Sequence, residues 1–428
     1  MATHISRRRA LQLGGLALGS GVLAACGGGS GAGSGKAATI RVAYDGNAER
    51  TKQVGLALDK IQSKLDGVTI QSEFGGDNAF FTKVRTQIAS GDGPDIFLAN
   101  TIDLGNYVKS NAALDLGKYL PDRIKTGDWD QQLLKGAQVD GKQYSIGTGV
   151  NSFCLLYDKP AFDKAGVTKL DPAWTWEDFA AIAAEVSKAN ARKPYGTSDA
   201  GRDLQTFQVY IRGNGAELFT PDGAIGFTEE HVVEFWNLWK RLRDTGAAVP
   251  AEVTAAADFN NNNLVKRKAA MNFDFSNRIL SNQTLAGRPL GSTTYPQGDR
   301  PGAYIRPSRV WAVYGRSKNP EKAAQVLDGL VNDPDAAMLI RTQLGVPNNP
   351  KNLAAVEAAA TPDQAREFTH LKLIEQHQTP LANVVFPAGG GDVSGAFQTY
   401  ADKVAFGKMS VADAAKGLIA DATKALKG

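Results

Sequence analysis

The chain has 428 residues, of which 43% are hydrophobic and 21% charged, with a formal net charge of +4, two cysteines and four histidines. Residues 1–25 hold Arg7, Arg8 and Arg9 and no acid, so the remainder carries only +1, and a strongly basic groove for nucleic acid is not indicated. About 390 residues beyond the amino-terminal segment exceed what a single core usually supports, roughly 250–300 residues, and predict two lobes.

In chain order the first feature is a leader. Three arginines precede an uncharged run from Ala10 to Ala25, a pattern expected of an export signal spanning 1–25. Four glycines weaken the run as a helix, and it is short of the roughly 20 apolar residues of a membrane span. Ser6-Arg7-Arg8-Arg9-Ala10-Leu11 resembles a twin-arginine signal with Ala10 in place of the usual Phe, so the export route stays open between this and the general secretory path. Leu23-Ala24-Ala25-Cys26 resembles a bacterial lipobox, in which the cysteine is acylated; Cys26 is the expected lipidation site. Residues 26–37, rich in Gly and Ser, lack side chains able to form a core and read as a flexible linker with a reach on the order of 20 Å. Lipidation leaves Cys154 as the remaining thiol, so no intramolecular disulfide is expected.

The next stretches alternate. "ATIRVAYDG" from Ala38, "VTIQSEF" from Val68 and "DIFLAN" from Asp95 read as strands, separated by the helical patterns "ERTKQVGLALDKIQSKL" and "AFFTKVRTQIASG". Strands alternating with helices predict a parallel sheet, whose ligands gather at the carboxyl ends of the strands. "NSFCLLYD", from Asn151, reads as a buried strand in which Cys154 acts as a small hydrophobe. The middle of the chain is helical, with a capping-box spacing at Thr175 and Asp178 and a terminating Gly246. Asn319-Pro320, Asp333-Pro334 and Thr361-Pro362 place a capping residue before a first-turn Pro. Trp174, Trp176, Trp236 and Trp239 are expected in the core, Asp92 and Asp95 in a structural turn, and the run Asn260–Asn263 in a solvated loop or helix start.

Four stretches are more specific. "SGDGPDIF", the nearly continuous "ALDLGKYL" through "VDGKQYSIGTGVNSFCLLYDKPAFDKAGV" and "WTWEDF", then "KRKAAMNFDF" and "YGRSKNPEKAAQVLDGLVNDPDAA" with "GVP", resemble in order the family 1 extracellular solute-binding proteins. Lys266–Lys268 stand where that family usually has a glycine. The resemblance implies an α/β fold of the two-lobed periplasmic-binding-protein type II, each lobe a mixed sheet flanked by helices, with the ligand cleft between lobes. It places lobe 1 at 38–147 and 305–344 and lobe 2 at 148–304 and 345–428. It implies a monomeric binder, anchored by lipid to the outer face of the cytoplasmic membrane, that delivers a carbohydrate to ABC permease subunits powered by a cytoplasmic ATPase, without cofactor, metal or nucleic acid. A non-sugar solute such as a polyol or glycoside stays open as cargo.

A sugar cleft needs aromatic platforms for C–H faces and polar side chains for hydroxyls. The candidates at the expected strand ends and crossings are Tyr44, Asp45 and Asn47, Glu73 and Phe74, Asn100, and Asn151 with Ser152. From the second lobe come Gln205 and Phe207, the run Asp274, Phe275, Ser276 and Asn277, and, on the return to the first lobe, Arg309 and Trp311. Trp311 reads either as a platform or as a core residue, since a strand hides every second side chain. Enzyme readings find little: His231, His370 and His377 lack zinc-ligand spacing, no Gly-x-Ser-x-Gly elbow is present, and the Gly-rich stretches lack the Lys-Ser/Thr of a phosphate loop. A secreted glycoside-acting enzyme, which needs only a pair of carboxylates, is the remaining enzymatic alternative.

Overall fold

The structure, a computed structural model, describes residues 37–258, 261–380 and 384–427. The leader, the linker up to Lys36 and the lipidation site Cys26 lie outside the described residues. The first sheet starts with β1 (Ala38–Asp45), β2 (Val68–Gly75) and β3 (Ile96–Ala99), where β1 runs parallel to both neighbours. Between β1 and β2 the helix Ala48–Gln62 starts where the Asn47 side chain accepts from the Arg50 amide. It buries Val54, Ala57, Leu58 and Ile61, a stripe at helical spacing, against the sheet.

The chain then crosses to a second sheet and returns. β4 (Ile146–Gly147) belongs to the first sheet, and β5 (Val150–Asp158) is the central strand of the second. β5 pairs with β6 (Met271–Phe275), β7 (Leu290–Thr293) and, along its first residues, β8 (Ile305–Pro307). β9 (Val310–Val313) re-enters the first sheet between β3 and β4, giving the order β2-β1-β3-β9-β4. The first sheet is mixed as expected. The second departs from that expectation, because every strand that flanks β5 runs back along it and all its ladders are antiparallel.

Each sheet has its own core. Val42, Phe97, Ile146, Trp311 and Leu327 pack in one cluster, and Phe153, Trp176, Phe207, Trp239 and Phe397 in another. Trp174 and Trp236 are also buried in the second, as expected. The capping box at Thr175 forms in both directions, Thr361 forms one with Gln364, and Gly246 ends its helix at φ 74°. Asp333 caps its helix as well, whereas the Asn319 side chain makes no capping bond. The asparagine run is less solvated than its composition suggests: Asn262 and Asn263 are buried, and Asn262 Nδ2 donates to Asn282 Oδ1 at 2.6 Å. Asp95 accepts from the Arg41 amide at 3.0 Å and from Ser317 Oγ at 2.5 Å, a structural role.

A third apolar cluster joins the crossings, with Val150 and Val346 against Phe368 and Leu371 of the helix Pro362–Gln376. The same helix carries Glu367 and His370 into the interior. Burial pushes Glu367 up to about 8 and holds His370 down to about 4, whose Nε2 donates to the carbonyl of Phe153 at 2.9 Å.

Two outcomes follow. Trp311 is 1% exposed and lies between Leu98 of β3 and Ile146 of β4 in the ladder, so Trp311→Ala should cost about 3–5 kcal/mol, read as a lower urea midpoint. An unmoved midpoint would place that indole outside the core. For Glu367, a carboxyl raised on folding contributes stability that is complete below its unfolded value of 4.5 and is lost as pH rises through about 8. His370, lowered on folding, loses its contribution only as pH falls from 6.5 through about 4. Glu367→Gln should therefore flatten the decline of the urea midpoint between roughly pH 6.5 and 8.5, and a decline as steep as wild type would show that Glu367 is ionised throughout.

Candidate functional site

Three segments cross between the sheets side by side. The Thr148 amide donates to the Arg309 carbonyl at 2.9 Å and the Ser308 amide to the Gly149 carbonyl at 2.8 Å. Val150 and Val346 exchange both backbone bonds at 2.7 and 2.8 Å, and Thr148 Oγ1 donates to the Leu344 carbonyl at 2.6 Å. Gly149 is needed here for close approach, since a Cβ would come within 2.7 Å of the Gly345 carbonyl carbon. Just before the crossing, Val139 and Lys142 close a two-residue turn at Asp140 and Gly141, both at positive φ as a type I′ hairpin requires.

On the first-lobe side, β1 and β2 end at one rim, and alternation sends Tyr44 and Asp45 to opposite faces. The Asp45 carboxylate lies beside the crossing: Oδ2 faces Arg50 Nη1 at 3.3 Å and Arg309 Nη2 at 3.9 Å, while buried Oδ1 has no hydrogen-bond partner among the described residues. The Arg309 guanidinium sits 5.7 Å from the centre of the Phe81 ring, and its Nε has no acceptor among the described residues. Phe74, at the end of β2, is 57% exposed with its ring centre 6.2 Å from that of Tyr44.

On the second-lobe side, Asn151 of β5 and Arg306 of β8 face each other across the ladder. Asn151 Nδ2 donates to Asn277 Oδ1 at 3.2 Å and lies 3.4 Å from Ser308 Oγ, and its Oδ1 is buried without a partner among the described residues. Arg306 reaches across to the first lobe, where Nη2 donates to Thr101 Oγ1 at 2.9 Å, and its guanidinium lies 5.7 Å from the centre of the Phe275 ring. Burial lowers the Arg306 pKa. Donors, acceptors and ring faces thus converge from both lobes on the stretch Arg306–Arg309. No catalytic pairing is evident there: Asp45 is held by arginines, and no cluster of His, Cys, Asp or Glu suited to a metal occurs among the described residues.

Residues 57–366 match the model of the bacterial extracellular solute-binding protein family. The chain belongs to that family. The Diacetylchitobiose binding protein DasA of Streptomyces coelicolor is 26% identical over 436 residues, covering 94% of this chain and 95% of that protein. A family 1 extracellular solute-binding protein from Alicyclobacillus acidocaldarius superposes with a TM-score of 0.69 at 26% identity, over 92% of this chain and 100% of the other. A periplasmic solute-binding protein from Pectobacterium atrosepticum gives a TM-score of 0.80 at 20% identity, over 91% and 99%. The two-lobed fold of these proteins is that of this chain, a solute-binding protein of the ABC importer type whose relatives are binding proteins. Among the described residues no helix is long and apolar enough to cross a membrane.

In this solute-binding protein the structure brings only part of the expected residue set together at the crossing. Asp45, Asn151, Asn277, Phe275 and Arg309 gather there, Phe74 stands exposed at the rim, and Asn100 and Gln205 are half-buried at helix starts. Others are corrected by their packing. Trp311 is in the first core, Tyr44 is buried with its hydroxyl on the Thr51 carbonyl, and Phe207 stacks on Phe397 at 5.0 Å. Ser152 Oγ donates to the Tyr304 carbonyl and Ser276 Oγ accepts from the Ser152 amide, so both hydroxyls join backbone segments. Asp274 pairs with Arg278 at 3.0 Å and accepts from Asn282 at 3.0 Å. Glu73 is committed to Arg41, Lys83 and Gln87, whose bonds overcome its desolvation and hold it down to about 2, and Asn47 is a helix cap. The sequence places Thr101 beside Asn100 at the rim of strand ends but does not single out Arg306 or Phe81; the repeated arginine of "RPSR" was the available signal, but which arginine crosses the cleft depends on strand pairing.

Proposed function

We propose that this protein is an exported lipoprotein, tethered through Cys26 and the linker 26–37, that captures a carbohydrate between its lobes and hands it to ABC permease subunits. The observation that carries the reading is the set of buried polar atoms without a partner among the described residues on side chains beside the crossing, Asp45 Oδ1, Asn151 Oδ1 and Arg309 Nε. Buried polar groups are normally hydrogen-bonded, and sugar hydroxyls both donate and accept. DasA, similar over nearly the full length, is a diacetylchitobiose binder, which supports a sugar as cargo. Phe74 and Phe275 supply the ring faces, and Asn100, Gln205 and Asn277 further polar contacts. A ligand held by both lobes favours their approach, because the closed form alone makes both sets of contacts. We place the second crossing at Ser308–Arg309, three residues beyond the boundary at 305 expected from sequence, because β8 still pairs with β5; lobe 1 then takes 38–147 and roughly the stretch to 344, and lobe 2 the rest.

A thermal-shift screen over a carbohydrate panel tests the reading. The matching sugar should raise the melting temperature by several degrees at saturation without being turned over. Phe74→Ala should weaken its binding about ten-fold with little change in melting, because the ring is exposed. Failure of every carbohydrate to stabilise the protein would reject the sugar, and products appearing in the incubation would favour the enzyme. For the anchor, Cys26→Ser expressed in the native host should move the protein from the membrane fraction to the medium, and retention equal to wild type would remove the lipid.

A further inference from the structure

The carboxylates around the cleft have partners, whereas one of its cations, Arg306, has a hydroxyl and a ring face but no ion pair among the described residues. Asp45 is shared by Arg50 and Arg309, and Asp274 is paired with Arg278. Asp203 caps the helix Leu204–Gly213, accepting from the amides of Gln205 and Thr206 and from Thr206 Oγ1. Arg306 is 7% exposed, yet no carboxylate lies within ion-pairing reach of it among the described residues. Its Nη2 has the Thr101 hydroxyl, its Nε has no acceptor among the described residues, and burial, with a smaller contribution from Arg309, disfavours its protonated form against the opposing charges of Tyr304 and Asp203.

A buried charge is costly unless paired, and truncated pairing is costlier than none. One neutral hydroxyl and the face of Phe275 offset only part of that cost. The guanidinium is a planar fork matched to a carboxylate, and its bonds to an ionised acceptor are about twice as strong as those to a hydroxyl. Arg306 sits beside Asn151 in the ladder and touches the first lobe, so an acidic group bound there would be gripped while both lobes hold the rest of the solute.

We infer that Arg306 receives an acidic group of the solute, so that the cargo is a carbohydrate bearing a carboxylate, such as a uronic-acid oligosaccharide. The inference rests on the carbohydrate reading above and narrows it. An acidic substituent also explains why the site spends an arginine, not an amide, at this position.

The test is calorimetric binding of matched disaccharide pairs to the full protein, each pair consisting of a uronic-acid disaccharide and its neutral twin of the same linkage, with sulfated twins as a third arm. Wild type should bind an acidic member at least about ten-fold more tightly than its neutral twin. Arg306→Gln should bring that ratio to about one, and Arg306→Lys should keep part of it, since charge is retained and the fork is lost. A neutral twin bound as tightly as the acid, a preference surviving in Arg306→Gln, or a sulfated twin preferred over the carboxylate would each overturn the inference. Binding of neutral sugars alone would overturn it while leaving the carbohydrate function standing, whereas no binding by any member would reject both. Should the glutamine variant lose its cooperative melt, the wild-type ratio alone decides.

Discussion

Three backbone crossings, hydrogen-bonded to one another between the sheets, are the constraint on which the rest of this structure depends. Because the amides of Thr148, Ser308 and Val346 bond to carbonyls on neighbouring crossings, the chain passes between two cores with these peptide groups paired. The glycines at 149 and 345 let those backbones approach, and a side chain at either would collide with the other strand. Several of the cleft candidates are positioned from this point: Asn151 one residue into β5, Arg306 in the middle of β8 and Arg309 just before β9.

That arrangement also explains the electrostatics. A short stretch carrying Arg306 and Arg309 has to be buried where lobes meet, and Asp45 can reach only the second of the two. Arg50 shares the same carboxylate oxygen, leaving the other free to accept. The polar groups are held in place before a solute arrives, which reduces the ordering that binding would otherwise require. Away from the crossing the charged groups are structural, as with Glu73, whose low pKa reflects three partners on its own lobe.

The aromatic side chains divide by the same geometry. Most of the large rings, including Trp236, Trp239 and Trp311, fill the two cores. Phe74, at the end of β2, is exposed, and Phe275, at the end of β6, is half-buried against Phe153 at the margin of the second core. Tryptophan, though abundant, therefore marks the cores of this chain.

Local periodicity and turn chemistry determined much of this protein in advance: the alternating strands and helices of residues 38–100, the caps at Thr175 and Thr361, the Asp140-Gly141 turn and the order of motifs that carries the family. These depend on neighbours within a few residues, so they are legible in one dimension. Tertiary structure alone decided which of two adjacent residues faced the cleft. Tyr44 and Asp45 are equally placed by sequence, yet one turns to the core and the other to the crossing; Arg306 and Arg309 differ by strand register, and Trp311 by its place between β3 and β4. A one-residue shift exchanges the two faces of a strand, and that shift is set by distant partners, 155 residues apart for Asn151 and Arg306 and 213 for Leu98 and Trp311.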